Sequence, residues 1–110
     1  MQPSEVRELI RDLEAEINNG GFDQFFFNSS GDKTAETIAA LEVIGASHTA
    51  GIVRNAAARF PGGMPPTDRD ERQNLLADSV SPDSDAFEDE DAAFLEYRDD
   101  LESLAAAYAV

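Results

Sequence analysis

Four of the seven phenylalanines fall within six residues, Phe22-Asp23-Gln24-Phe25-Phe26-Phe27, between Asn18-Asn19-Gly20-Gly21 and Asn28-Ser29-Ser30-Gly31. Such a cluster must be buried, so the rest of the chain has to fold around it. Six residues suit a strand, but Phe22, Phe25 and Phe26 share a helical face and the run ends in a loop with helix-start chemistry. A short helix is therefore the expectation.

The flanking segments are helical by the same criterion. Val6, Leu9, Ile10, Leu13 and Ile17 recur at three, four and seven, predicting a helix over residues 4–18 with Ser4 as its N-cap. Asn18-Asn19-Gly20-Gly21 stops it, either as a left-handed cap or as a hairpin turn. Thr34, Ile38, Leu41 and Ile44 predict a helix over 33–46, and Ile52, Val53, Ala56, Ala57 and Phe60 one over 47–60. Pro61-Gly62-Gly63-Met64-Pro65-Pro66 forbids regular structure. Asp68-Arg69-Asp70-Glu71 has the form of a capping box and leads into Arg72, Leu75, Leu76 and Val80, a fifth helix ended by Ser81-Pro82-Asp83.

The last segment carries both an apolar stripe and most of the chain's charge asymmetry. Phe87, Phe94, Leu101 and Tyr108 repeat every seven residues, with Tyr97 and Leu104 between them. Glu88, Asp89, Asp91, Glu96, Asp99, Asp100 and Glu102 lie on the opposite side of a helical wheel. Glu90 alone falls inside the stripe, which predicts that the helix breaks or bends between about Asp89 and Ala93. The fold class expected is all-α: a single domain over 1–110, a compact bundle of about six helices, the last one long and acidic.

Charge narrows the function classes. Twenty-three Asp plus Glu against eight Lys plus Arg give a net charge of −15. That surface repels phosphate, which argues against direct nucleic-acid binding and favours basic protein partners or simple solubility. With no cysteine, thiolate metal sites and thiol nucleophiles are absent. His48, the lone histidine, reads as a surface or capping-region residue. Asp83-x-Asp85 begins like a calcium loop but puts Glu88 where a glycine is required. No phosphate loop, zinc spacing or dinucleotide fingerprint occurs. The expectation is no enzyme, no cofactor and no metal. Met1-Gln2-Pro3-Ser4-Glu5 brings neither a basic region nor an apolar run of signal length, so a cytoplasmic protein without membrane contact is expected. One Lys against seven Arg, twelve Asp and seventeen Ala also fits a salt-adapted or GC-rich source.

Three stretches together resemble a known family: Glu16 to Asp32 with its Asn-Asn-Gly-Gly-Phe core, Phe60 to Arg72 with Pro-Gly-Gly-Met-Pro-Pro, and the frame of Phe94, Tyr97, Asp100, Leu101 and Tyr108. From about Glu5 to Tyr108 the chain resembles a bacterial domain of unknown function that forms the C-terminal part of a dimeric DNA-mimic protein. The resemblance implies an all-helical fold, and a protein whose surface carboxylates occupy the DNA-binding face of a nucleic-acid-binding protein. It also allows a homodimer. The motif residues Asn18, Asn19, Gly20, Gly21, Phe22, Gln24, Phe25, Phe26, Asn28, Ser29, Gly31, Pro61, Gly62, Gly63, Pro65, Asp68, Arg69 and Arg72 are types that shape loops and cores. The two arginines are expected to pin the proline-glycine loop to a helix end through carboxylate pairs.

The candidate partner-binding face is Asp85, Glu88, Asp89, Asp91, Glu96, Asp99, Asp100 and Glu102. On a straight helix, residues 88–102 span roughly 21 Å, and carboxylates three to four apart stand about 5–6 Å from each other, comparable to phosphates along a strand. The partner expected is a basic DNA-binding protein, or a nuclease toxin to which the chain is an immunity-like inhibitor. A solvated face on an acidic scaffold is the alternative, with a small-ligand site near the Phe-rich and Pro-Gly motifs. Joint neutralisation of Asp89, Asp91, Glu96, Asp99 and Asp100 is expected to abolish partner binding and spare the fold.

Overall fold

A computed structural model describes residues 1–108, so the last two residues of the domain expected over 1–110 lie outside the described part. The fold is all-α, with six α-helices and no strand among the described residues. They are α1 (Pro3–Phe27), α2 (Thr34–Val43), α3 (Ser47–Ala57), α4 (Arg69–Leu75), α5 (Glu88–Leu95) and α6 (Leu101–Ala107). Short 3-10 turns cover Ser29–Lys33 and Pro61–Gly63, and a π turn, Leu76–Val80, extends α4. In that turn the Ser81 amide donates to Leu76 O, five residues back, at 2.8 Å.

Helix α1 is the spine, touching α2, α4, α5 and α6, while α3 closes the bundle against α2 and α5. Its apolar stripe of Val6, Leu9, Ile10, Leu13 and Ile17 is buried as the periodicity requires. The helix then kinks at Gly20 and Gly21 and continues through the phenylalanines. Phe22, Phe25 and Phe26 are fully buried, and Phe26 packs on Phe60 at 5.0 Å and on Phe87 at 5.3 Å between ring centroids. The rings thereby join helix 1 to the segments on either side of α4. Phe27 is the exception to the expected burial, 53% exposed, because the fourth ring in a helical run cannot share the face of the other three.

Two other expectations are corrected. Ser4 does not cap α1: Gln2 holds that position without a side-chain bond, and Pro3 occupies the first helical turn, where its missing N–H costs nothing. The acidic helix neither breaks nor bends at 89–93. It runs unbroken to Leu95, and the chain leaves helical geometry over residues 96–100, with Tyr97 at φ 48, before α6 begins. Glu90 stays inside the apolar stripe without distorting α5 because Arg59 of the chain segment after α3 reaches it, Nε to Oε1 at 2.6 Å and Nη2 to Oε2 at 3.2 Å. The side-chain of Glu90 is 8% exposed, and this bidentate pair compensates its burial.

Candidate functional site

The break between α5 and α6 has an electrostatic cause. Helix α3 starts after Ala46, which has no side-chain oxygen to cap it. Asp99 supplies the carboxylate from across the fold, accepting from the Thr49 amide at 2.8 Å and from Thr49 Oγ1 at 2.9 Å. A carboxylate there also complements the positive end of the helix. The next residue, Asp100, caps α6, accepting from the Ser103 amide and from its hydroxyl, which hold the Asp100 carboxyl below its ordinary value. Consecutive aspartates cannot cap two helices from within a continuous one.

Asp91 is engaged as well. The Phe22 amide, freed by the kink, donates to Asp91 Oδ1 at 2.8 Å. Burial pushes the Asp91 carboxyl up, the Phe22 bond opposes that, and Asp23, Glu90 and Glu88 add to the rise. With the folded value above the unfolded one, the stabilisation from protonating Asp91 is full below the unfolded value and is lost as pH rises through the folded value. Asp91→Asn keeps an acceptor for Phe22 and removes the charge. It is expected to equal or exceed the wild type in urea denaturation at neutral pH and to lose this pH dependence, whereas Asp91→Ala is expected to be less stable by about 1 kcal/mol. Equal stability of the Asn and Ala variants would contradict the capping role.

Five of the eight candidate carboxylates thus remain exposed with no intramolecular bond or ion pair among the described residues: Asp85, Glu88, Asp89, Glu96 and Glu102. Asp99 and Asp91 are half-buried, and Asp100 is exposed but bonded. Because of the break, residues 88–102 form no straight 21 Å rod; Glu88 and Asp89 stand on α5, Glu96 in the connector and Glu102 on α6. Arg98, the single basic residue between Asp83 and Glu102 in the sequence, is exposed and makes no ion pair among the described residues.

The motif residues build joints. Arg72 is fully buried, and its guanidinium donates to Phe26 O at 2.6 Å, Asn28 O at 2.9 Å, Pro66 O at 3.0 Å, Thr67 O at 3.3 Å and Asp32 Oδ1 at 2.7 Å. It ties the end of α1 to the proline-rich loop and to the 3-10 turn. Arg69 grips the other Asp32 oxygen at 2.8 Å. The Arg69 bond, reinforced by Arg72 against a smaller desolvation effect, holds the Asp32 carboxyl at about 2. Asp68 caps α4, accepting from the Glu71 amide at 3.2 Å. Gly31 lies so close that a Cβ would stand 2.7 Å from Arg72 Nε.

The polar motif residues are similarly bound. Asn18 donates to Glu14 O and to the Tyr97 hydroxyl, Asn19 to Gln24 Oε1, and Gln24 and Asn28 both to Glu16 Oε2. Ser29 is exposed, Pro65 buried, and Pro61, Gly62 and Gly63 form an exposed turn. His48 is exposed on α3. Among the described residues no three His, Asp or Glu side chains gather closely enough to hold a metal ion, and no helix is long and apolar enough to cross a membrane. The caps made by Asp99 and Asp91 escaped sequence reasoning because both partners are distant in the chain. Asp100-x-x-Ser103 did carry a local capping pattern.

No curated protein and no solved structure matches the chain. A family model described as DMP19-like protein matches residues 6–110, nearly the whole length and all three motif stretches. The chain therefore belongs to the DMP19-like protein family.

Proposed function

We propose that this protein is a non-enzymatic inhibitor by mimicry, presenting carboxylates on α5, the 96–100 connector and α6 to the DNA-binding face of a basic protein. The observation that carries the reading is the division among the eight carboxylates. Three have tasks in the fold, while Asp85, Glu88, Asp89, Glu96 and Glu102 are exposed and make no ion pair or side-chain hydrogen bond among the described residues. Membership of the DMP19-like family supports it. Carboxylates at such positions attract a basic surface at long range, and salt screens that attraction over about 8 Å at physiological ionic strength.

The test is a variant carrying Asp85→Asn, Glu88→Gln, Asp89→Asn, Glu96→Gln and Glu102→Gln together. Its stability in urea is expected to stay within about 1 kcal/mol of the wild type, since the relief of like-charge repulsion offsets the loss of first-turn carboxylates on α5 and α6 and no cap is touched. Affinity for the basic partner captured from lysate at low salt is expected to fall at least tenfold, a loss of about 1.4 kcal/mol or more. Unchanged affinity in a folded variant would remove the reading. Capture of a nuclease rather than a transcription factor would assign the same face to toxin inhibition.

A further inference from the structure

An open groove of about 550 Å³ is lined by Phe27 from α1, Leu76 and Ala77 from the π turn, Pro82 from the turn after it, and Gly20 of the α1 kink. Phe27 is the one ring of its cluster left outside the core, and it leaves an aromatic face in this groove. The backbone around it is irregular. Leu76 and Ala77 belong to a π turn, a geometry that recurs at functional sites, and the lining residue Ser84 adopts φ 59.

Charge and polar chemistry say what the groove fits. No basic residue lines it, Asp23 does, and the exposed Asp78 and Asp83 stand next in sequence to the lining residues Ala77 and Pro82. The amides that could orient a small polar ligand are already committed, Gln24 to Glu16 and Asn19 and Gln73 to Phe27 O at 2.7 Å, and Ser81 Oγ accepts from the Ala86 amide, which leaves Asp23 and the Ser84 hydroxyl as the polar side chains free to meet a partner. A small-molecule site needs convergent free polar groups, whereas a protein-docking site needs an aromatic or aliphatic anchor and a polar rim. The groove has the second composition.

We propose that this groove docks a basic amphipathic segment of a partner protein, seating one of its apolar side chains against Phe27, Leu76 and Pro82 while its lysines or arginines meet Asp23, Asp78 and Asp83. The proposal rests on the reading of the chain as a ligand for basic proteins and names a second place of contact, one that adds specificity to a charge-driven encounter.

The probe is a fluorescein-labelled helical peptide of lysines with leucines along one face, compared with the same peptide carrying serine for every leucine. Binding is followed by fluorescence anisotropy. The full chain is expected to bind the leucine peptide about tenfold more tightly than the serine peptide, the effect of one well-seated anchor. Phe27→Ala is expected to erase that preference while leaving serine-peptide affinity unchanged. Ala77→Arg, at an exposed position, is expected to weaken the leucine peptide by a similar factor, and urea midpoints establish that both variants are folded. Equal affinity for the two peptides, or a preference that survives both variants, overturns the groove and leaves the acidic-surface reading standing. Failure of both peptides to bind at low salt overturns both.

Discussion

Replacement of Arg72 by alanine is expected to lower stability by about 3–5 kcal/mol, the usual result of removing one partner from a buried charged network. For a domain of this size, with a total of about 5–15 kcal/mol, that is a large part of what holds it folded. The side chain reaches four carbonyls and Asp32, linking α1, the 3-10 turn and the proline-rich loop. Arg72→Lys is expected to recover little, because an ammonium cannot reproduce a planar fork donating in several directions. Urea denaturation decides: either variant within about 1 kcal/mol of the wild type contradicts the account. Asp32 adds an acid dependence. Its folded value near 2 lies below the unfolded 3.8, so its contribution is present above about pH 4 and is lost as pH falls through about 2. Asp32→Asn should lack that part of the acid transition.

Gly21→Ala is expected to cost about 2–4 kcal/mol through two effects at one atom. Gly21 has φ 69 and ψ −168, a conformation open to glycine and costing other residues about 1–3 kcal/mol. A Cβ there would also run into Asp91 Oδ2, displacing the carboxylate that accepts from the Phe22 amide. The double variant Gly21→Ala, Asp91→Ala separates the two. It removes the clash, so its cost should be less than the sum of the single changes by about 1 kcal/mol. Full additivity, or a Gly21→Ala protein as stable as the wild type, would show that the kink does not depend on this residue.

Periodicity reveals a great deal of this fold and misplaces its joints. Six helices are expected and six are found, but they are not the same six. The residues 4–18 and 22–27 join into one kinked α1, because a glycine pair can redirect a helix without ending it when a distant carboxylate takes up the freed amide. The terminal acidic helix divides in two, because Asp99 and Asp100 are needed as caps for α3 and α6. A helical wheel treats each carboxylate as a solvent-facing charge, so it cannot distinguish Asp91 and Asp99, whose partners lie 69 and 50 residues away, from Glu88 and Glu102, which have none. Glu90 is the same lesson inverted: its place in the apolar stripe is a defect on the wheel and an ion pair with Arg59 in three dimensions. The arginines were legible because Asp68, Arg69 and Arg72 stand beside a loop of fixed shape, although sequence alone did not single out Asp32 as their shared partner.

Under the proposed function, the carboxylates unused by the fold take the place of DNA on a basic protein. The most direct measurement is competition: the basic protein captured at low salt is bound to labelled duplex DNA, and wild-type chain or the variant neutralised at Asp85, Glu88, Asp89, Glu96 and Glu102 is titrated in. The wild type is expected to displace the DNA, raising the salt to abolish displacement, and the folded variant to fail to displace it. A ternary complex in which DNA and the chain are bound at once, or displacement by the variant equal to that by the wild type, would contradict it.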